Sequence, residues 1–212
     1  MGDFLKITDT VYALDSTKGN YVYVVLGKEI ILIDTGRSKN GEGILSDLKS
    51  MNVDPIDIKH IFITHHDMDH TGSLAYLEQA TGARIWASEE DISVICGKKN
   101  PDGLKKLVKY IIKVNPPKNI NPYPKDHKIG NIEVIPTPGH TRGHVCLLYK
   151  DVMFIGDLFR TSDGKITPMY SLMNWNNKLQ KESISKINKY HFNWICPAHG
   201  EPIKNKGQIN EL

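Results

Sequence analysis

The 212-residue sequence lacks long apolar runs and is poor in cysteine. No stretch approaches the roughly 18 consecutive apolar residues that a membrane-spanning helix needs, and the opening residues MGDFLK carry neither a secretory nor a myristoylation signal. The three cysteines, Cys96, Cys146 and Cys196, are an odd and widely spaced set, which argues against a disulfide framework. We therefore expect a cytoplasmic protein in which each cysteine is a small buried hydrophobic residue.

The composition is that of an ordinary globular protein, with 40% apolar and 24% charged residues. A chain of this length can bury one substantial core. The net charge of +3 is unevenly distributed, because residues 98–128 contain nine lysines against only Asp102 and Asp126. We therefore predict one domain over residues 1–212, with a lysine-rich helical insertion at about 98–128.

The insertion contains five apolar residues at helical spacing, with lysines between them. The apolar residues are Leu104, Leu107, Val108, Ile111 and Ile112, and the lysines are Lys105, Lys106, Lys109 and Lys113. This pattern predicts an amphipathic helix, which could pack its apolar face on the domain with its lysines solvated, cover an active-site mouth, or form a homodimer contact. One short basic helix is weak support for membrane binding, and lysines without interleaved arginine and aromatic residues do not predict nucleic-acid binding.

Strand and helix patterns alternate along much of the chain. Predicted strands cover residues 21–26, 29–34, 59–64, 83–87, 132–136, 145–149 and 152–155, with a final strand near 193–197, and the first two form a hairpin. Predicted helices cover residues 44–51, a segment between Gly72 and Thr81-Gly82, and residues 177–190. These elements indicate an α/β protein with two sheets and helices outside them.

The stretch THHDMDHTG, residues 64–72, concentrates histidine and aspartate between a predicted strand and a predicted helix. Imidazole and carboxylate are the ligands that divalent metals take in water-activating sites. Alternate residues of an extended segment share a face, so His65, Asp67 and Asp69 can converge, and the turn into the helix can bring His70 beside them. His66 is expected to point elsewhere.

Three later segments carry the same kind of residue shortly after a predicted strand: Pro138-Gly139-His140, Ile155-Gly156-Asp157 and Ala198-His199-Gly200. Glycine beside such a residue lets the loop that carries it come close to a metal. Together with the first motif, the chain offers enough ligands for two metal ions. The candidates are His65, Asp67, Asp69, His70, His140, Asp157 and His199.

This succession of motifs resembles the metallo-β-lactamase superfamily and covers nearly the whole chain in order, including the early Asp34-Thr35-Gly36. The resemblance implies an αββα sandwich of two mixed sheets with outer helices, and metals along one edge between the sheets. It also implies a first metal held by His65, Asp67 and His140, a second held by Asp69, His70 and His199, and Asp157 as the bridge between them.

Asp67 departs from the superfamily pattern, because the motif here reads His-x-Asp-x-Asp-His where His-x-His-x-Asp-His is the commonest form. Three carboxylates would leave two divalent ions with a single net positive charge, so that water bound to them would be less acidic. Oxygen ligation shifts metal preference towards iron or manganese, although zinc is the expected ion. Flavodiiron proteins of the superfamily carry glutamate at this position, but we expect no flavin-binding domain in a chain of this length.

Other polar residues near the motifs are expected to have supporting roles. Asp34 should act on the site through hydrogen bonds, and His144 either orients a metal ligand or is an ordinary loop histidine. The remaining histidines, His60, His127 and His191, are expected to be surface or structural residues.

The resemblance implies a metal-dependent hydrolase, in which a hydroxide bridging two metal ions attacks a small ester, thioester, lactone or related substrate. Asp69 is the candidate catalytic residue, because it could also receive or relay a proton when the tetrahedral intermediate collapses. Only 13 residues follow His199, so we do not expect the C-terminal helical domain with which glyoxalase II enzymes bind glutathione.

Two other functions stay open at this point. An iron-dependent oxidoreductase, either persulfide-dioxygenase-like or flavodiiron-related, is favoured by the carboxylate of Asp67. A non-catalytic sensor would bind a metabolite in an inherited pocket. In each case the expected partner is a small molecule, with neither nucleic acid nor membrane.

Overall fold

The structure is a computed structural model that describes residues 4–103, 105 and 115–211. The predicted amphipathic helix around residues 104–113 lies outside the described residues, apart from Lys105. Within the described ranges, no helix has the length and apolar character that crossing a membrane requires.

The first sheet has seven strands that follow one another in chain order. They are β1 (Leu5–Lys6), β2 (Val11–Ala13), β3 (Tyr23–Leu26), β4 (Ile30–Ile33), β5 (Ile58–Phe62), β6 (Arg84–Ala87) and β7 (Asn121–Pro122). Strands β1 to β4 pair antiparallel, whereas β4 to β7 pair parallel. Parallel neighbours need a crossover connection, so helices lie between the later strands.

The second sheet has six strands in the order β15, β14, β11, β10, β9, β8. Their bounds are β8 (Lys128–Ile129), β9 (Ile132–Pro136), β10 (Val145–Tyr149), β11 (Val152–Gly156), β14 (Trp194–Pro197) and β15 (Ile203–Lys204). Strand β10 pairs antiparallel with β9 and β11, and β11 pairs parallel with β14. Strands β9, β11 and β14 therefore run in the same direction and end at the same edge. A separate hairpin joins β12 (Phe159–Ser162) to β13 (Lys165–Pro168).

Five α-helices lie in the described part of the chain. They are α1 (Gly41–Ser50), α2 (Met68–Thr71), α3 (Leu74–Thr81), α4 (Glu89–Ile95) and α5 (Asn177–Ile187). Short 3-10 helices cover Asp15–Thr17, Pro55–Asp57, Ser171–Met173 and Gln208–Glu211. The side chain of Asn176 accepts hydrogen bonds from the backbone N–H groups of Lys178 and Leu179, so it caps the N-terminus of α5.

The apolar core lies in three clusters, which together define four layers. The central cluster joins inward side chains of the two sheets, including Ile33 and Phe62 of the first and Leu147 and Phe154 of the second. The other faces of these strands pack on helices. Because successive strand residues point to opposite faces, Leu32 packs with α1 and α3 while Ile33 faces the second sheet.

The second sheet has the same arrangement on its outer face. Cys146 and Met153 pack against Ile184 and Ile187 of α5. Strands covered on both faces are apolar at nearly every position, which is why β4 and β11 are continuous apolar runs in the sequence. The layer order is therefore helix, sheet, sheet, helix, and the expected αββα fold is confirmed.

Within the described ranges, the predicted strands and helices are all present, with bounds that differ by a few residues. One prediction was wrong in detail: the strand near residues 193–197 is not the last, because β15 follows it. The sequence pattern also failed to indicate α4, although Ser88 accepts a hydrogen bond from the backbone N–H of Asp91 and so caps this helix. Cys146 and Cys196 are buried as expected, whereas Cys96 is only half-buried.

Candidate metal centre

The seven predicted ligands come from four loops at one edge of the two sheets. The loop after β5 and the short helix α2 carry the first four, and the loops after β9, β11 and β14 carry His140, Asp157 and His199. Since these three strands end at the same edge, residues far apart in sequence meet there. Gly139 has φ of 150°, and a Cβ at this position would lie 2.4 Å from Gln180 Cα, so glycine allows the His140 loop to pack on α5.

One group of ligand atoms belongs to His65, Asp67, His140 and Asp157, and these atoms all lie within 4.8 Å of one another. The Oδ2 atom of Asp67 lies 3.4 Å from His65 Nε2 and 3.1 Å from His140 Nε2. The Oδ2 atom of Asp157 lies 3.4 Å from His140 Nε2. The carboxylate of Asp67 thus reaches the centre of the group despite being shorter than the usual imidazole.

A second group contains Asp69, His70 and His199, again with ligand atoms within 4.8 Å of one another. Asp157 lies beside this group too, since its Oδ1 is 3.3 Å from His70 Nε2 and its Oδ2 is 3.4 Å from His199 Nε2. Asp69 was expected to share an extended face with His65 and Asp67, and this expectation was wrong. Residues 68–71 form α2, and the helical turn directs Asp69 to the second group.

The imidazoles of the first motif are oriented by Asp34 and Thr64. Asp34 Oδ2 accepts hydrogen bonds from Thr64 Oγ1 at 2.7 Å and from His70 Nδ1 at 2.8 Å. Because the Thr64 hydroxyl donates to Asp34, it is free to accept from His65 Nδ1 at 3.1 Å. Both rings therefore carry hydrogen on Nδ1 and direct Nε2 to the site. Asp34 supports the site through hydrogen bonds, as expected.

The other two imidazoles are oriented in the same way. His140 Nδ1 donates to Asn174 Oδ1 at 2.9 Å, and His199 Nδ1 donates to the carbonyl oxygen of Gly19 at 3.3 Å. Partners of this kind fix the tautomer and the ring orientation of a metal-binding histidine. All four candidate imidazoles thus direct Nε2 towards the site.

His144 holds the backbone of Asp157. Its Nε2 accepts the Asp157 N–H at 3.1 Å, and its Nδ1 donates to Thr137 Oγ1 at 2.9 Å. Gln180 on α5 donates to the Asp157 carbonyl oxygen at 3.1 Å. Both nitrogens of His144 are therefore committed, and this histidine orients a candidate ligand without being one.

Three buried atoms at the centre have no hydrogen-bond partner within the described residues: His65 Nε2, His70 Nε2 and Asp157 Oδ1. A buried polar atom without a partner is costly, and native structures seldom leave several such atoms pointing at one another. A divalent cation could bind all three atoms, taking the place of a proton at His70. The residues present therefore fit a metal centre.

The metallo-beta-lactamase superfamily model matches residues 15–199 of the sequence. The chain belongs to this superfamily. A Methanocaldococcus jannaschii protein named as a probable metallo-hydrolase is 28% identical over 187 residues, which cover 84% of this chain and 86% of that protein. The hydroxyacylglutathione hydrolase of Shewanella pealeana is 32% identical over 155 residues. That match covers 72% of this chain and 51% of the relative, so the chain spans about half the length of this relative.

Solved metallo-beta-lactamases share the superfamily fold with this chain. The Rm3 metallo-beta-lactamase superposes with a TM-score of 0.76 at 20% identity, covering 94% of this chain and 78% of that one. A B3 metallo-beta-lactamase with an active site glutamic acid also gives a TM-score of 0.76 at 21% identity, covering 100% of this chain and 86% of that one. At these identities the likeness shows the αββα fold alone.

Charged side chains at the candidate metal centre stabilise one another. Burial opposes ionisation of Asp67, but His65, His140 and Lys105 outweigh it and hold its pKa well below the ordinary value. Burial likewise opposes ionisation of Asp157, whose pKa is held well below the ordinary value chiefly by His70. Both carboxylates are therefore ionised at neutral pH, as metal ligands must be.

The two imidazoles of the first motif differ in charge. Burial lowers the pKa of His65 well below its ordinary value, and the nearby His70 lowers it further. Burial also opposes a charge on His70, but Asp34 and Asp157 outweigh it and raise its pKa well above the ordinary value. Without metal, the neutral ring of His65 thus lies next to the charged ring of His70. A cation bound by His70 would replace a proton.

Two site residues were missed in the sequence. Asp91 of α4 accepts hydrogen bonds from His66 Nδ1 at 2.9 Å, from the His66 backbone N–H at 3.0 Å and from Thr141 Oγ1 at 3.1 Å. It therefore ties the first motif to the His140 loop, and it explains why the Nδ1 side of His66 faces away from the ligand groups.

The second missed residue is Lys105, whose Nζ lies 2.6 Å from Asp67 Oδ2 and 2.9 Å from His140 Nε2. Lys105 is buried, so the interpretation in which the lysines of the insertion are solvated was wrong for this residue.

A cavity of about 870 Å³ opens beside Asp67 and Asp69. Its walls are mainly apolar, with three cationic side chains at Arg37, Lys39 and Lys105. The apolar part of the lining includes Met68, Val94, Ile95, Pro101, Pro116, Pro117 and Met173. A small organic molecule with an anionic substituent would fit such a cavity.

Proposed function

We propose that this chain is a binuclear metallohydrolase acting on a small ester, thioester, lactone or related substrate. The observation that carries the proposal is the convergence of seven candidate ligand side chains around three atoms, His65 Nε2, His70 Nε2 and Asp157 Oδ1, that have no hydrogen-bond partner in the described part of the chain. Zinc is the proposed metal, with iron or manganese as alternatives. Divalent cations bound here would make hydroxide available near neutral pH and would polarise the oxygen of the group under attack.

The ligand assignment follows the two groups of side chains. The first cation position would use His65, Asp67 and His140, the second would use Asp69, His70 and His199, and Asp157 would serve both. Asp34, His144 and Asn174 hold these ligands in place through the hydrogen bonds described above. The chain's own contribution is a set of candidate ligand side chains oriented before a cation arrives, with Asp67 and Asp157 already ionised.

Asp69 is the candidate for proton transfer. Its side chain is 32% exposed, compared with 4% for Asp157, and it lines the cavity where a substrate would lie. A carboxylate at the cavity wall can receive the proton of the attacking water and pass it to a leaving group as the tetrahedral intermediate collapses. Asp157 is too deeply buried to reach a leaving group in this way.

The substrate class is inferred from the cavity. Its apolar walls suit a hydrocarbon substituent, and Arg37 and Lys39 suit a negative charge near the rim. The hydroxyacylglutathione hydrolase name of several relatives supports a thioester as one member of the panel to test. No nucleic-acid or membrane partner forms part of this proposal.

Metal analysis and single substitutions test the proposal together. We expect two equivalents of divalent metal per chain and turnover of at least one member of an ester, thioester and lactone panel. His70→Ala and His140→Ala should each lower kcat/KM by at least about a hundredfold, because losing a ligand costs more than losing its supporting partner. His127→Ala, an exposed histidine, is the matched control and should keep full activity. Full activity in His70→Ala or His140→Ala would refute the proposal.

An iron-dependent oxidoreductase is the second candidate, and the carboxylate of Asp67 in the first ligand group favours it. The visible spectrum and metal content of protein purified in air would distinguish the two candidates, because a zinc protein is colourless. Iron as the bound metal, with no turnover of the hydrolase panel, would favour the oxidoreductase. Full metal loading without turnover of either class of substrate would favour a metabolite sensor.

A further inference from the structure

Lys105 places a buried positive charge on two atoms of the first ligand group. Its Nζ lies 2.6 Å from Asp67 Oδ2 and 2.9 Å from His140 Nε2, and its side chain is only 10% exposed. A buried ammonium is costly unless it is paired and hydrogen-bonded. These two contacts are what make the burial of Lys105 tolerable.

The nitrogen of His140 that contacts Lys105 is the one a cation would need. Asn174 directs its amide nitrogen to Asn177 Oδ1 at 2.7 Å, so its amide oxygen faces His140 Nδ1. Because that oxygen can only accept, Nδ1 carries the hydrogen, and Nε2 offers its single lone pair to Lys105. One lone pair cannot accept from an ammonium and bind a metal ion at the same time.

Asp67 presents the same conflict. Its Oδ2 atom points into the first group, between His65 Nε2 and His140 Nε2, and it is this oxygen that accepts from Lys105. A histidine at position 67 would give the ammonium no carboxylate to pair with. Asp67 and Lys105 therefore act as a pair.

The second ligand group differs from the first in its ionic contacts. Among the described residues, no lysine or arginine forms an ion pair with Asp69, whose ionic contact is with His199 at 3.4 Å. His70 Nε2 has no hydrogen-bond partner there at all, whereas His140 Nε2 accepts from Lys105. The two cation positions are thus unequal before any metal binds.

We propose that Lys105 is an internal competitor for the first cation position. It holds Asp67 and His140 in the metal-free protein and must leave them before a cation binds there. The second position therefore fills first, and Lys105 sets the affinity of the first position. This inference rests on the two cation positions proposed above.

Titration of the metal-free protein with Co²⁺ tests the inference, because the visible absorption of Co²⁺ reports each binding step separately from activity. The variants are Lys105→Met and, as the matched control, Lys39→Met, which removes a positive charge from the same cavity wall. We expect Lys105→Met to tighten the weaker step by roughly tenfold, equivalent to about 1.4 kcal/mol, and to leave the tighter step unchanged. Lys39→Met should leave both steps within about twofold of wild type, since Lys39 forms no ion pair with a ligand carboxylate in the described part of the chain.

Chemical labelling of the unsubstituted protein provides a second measurement that does not depend on how a variant folds. An amine-acylating reagent, followed by peptide mass spectrometry, reports how accessible Lys105 is. We expect Lys105 to be protected without metal and with one equivalent of Co²⁺, and to be labelled several times faster with two equivalents. Continued protection with both positions filled would overturn the inference.

The outcomes separate this inference from the proposed function. If wild type and Lys105→Met both bind two Co²⁺ ions with the same pair of affinities, the competitor role is refuted and the hydrolase proposal stands. If the wild-type protein binds no Co²⁺ at all, both fail together. A tighter weak step in Lys105→Met, with release of Lys105 to the reagent in wild type, supports the inference.

Discussion

Asp34 shows how much of the centre depends on a residue that belongs to neither ligand group. It accepts hydrogen bonds from the backbone N–H and hydroxyl of Thr64 and from His70 Nδ1. It does so with φ of 62°, in the left-handed region that aspartate and asparagine tolerate better than most residues. One buried carboxylate therefore orients the rings of both His65 and His70.

Asp34→Asn tests this role with little change in shape. The amide keeps the left-handed backbone but loses the charge and one acceptor, so it cannot satisfy Thr64 and His70 together. We expect the affinity for Zn²⁺ to fall by about 10- to 100-fold, as measured by competition with a chelating dye. Asp163→Asn is the matched control, because Asp163 also has positive φ, at 51°, but is exposed in the β12–β13 hairpin. Equal Zn²⁺ affinities in the two variants would contradict the role of Asp34.

At the scale of elements, the position of His140 depends on close contact between its loop and α5. The backbone N–H of Asn176 donates to the carbonyl oxygen of Gly139, and Ser183 Oγ donates to that of Pro138 at 2.7 Å. A Cβ on Gly139 would lie 2.4 Å from Gln180 Cα, which is closer than any real contact of that kind. The loop and the helix can therefore pack together only with glycine at this position.

Gly139→Ala should consequently destabilise the protein more than a glycine substitution that meets no clash. Gly82 ends α3 with φ of 66° and would have open space around an added Cβ, so Gly82→Ala serves as the comparison. We expect Gly82→Ala to cost about 1 kcal/mol from left-handed strain, and Gly139→Ala to cost about 3 kcal/mol because overpacking is added. Urea unfolding of the metal-free proteins measures both. Equal costs would mean that the loop can move away from α5 without penalty.

The elements also show what the sequence can and cannot predict. Strands such as β4 and β11 were predicted because short, continuous apolar runs bounded by turn residues are typical of strands buried on both faces. The candidate ligands were predicted because histidine and aspartate after several strands form a chemical pattern. Asp91 and Lys105 were missed because their roles depend on partners 25 and 38 positions away, at His66 and Asp67. Only the packed loops reveal such pairs.

For the molecule as a whole, the centre joins the two sheets. The first sheet supplies His65 to His70 through the loop after β5, and the second supplies His140, Asp157 and His199. The sheets also share the central apolar cluster, in which Phe62 and Phe154 take part. We propose that residues 1–212 form one domain with the lysine-rich insertion at about 98–128, so the described part should unfold in a single transition.

Metal should therefore stabilise the whole molecule, because a cation that binds only the folded state shifts the unfolding equilibrium. At a free Zn²⁺ concentration of 100 times Kd, one position contributes about 2.7 kcal/mol, which corresponds to a rise in Tm of about 5–10 °C for a chain of this size. Thermal unfolding with Zn²⁺ and with a chelator measures this shift. His199→Ala should lose most of it, whereas His191→Ala, an exposed histidine that precedes β14, should keep it. A wild-type Tm that does not change with Zn²⁺ would mean that the four loops do not bind a cation together.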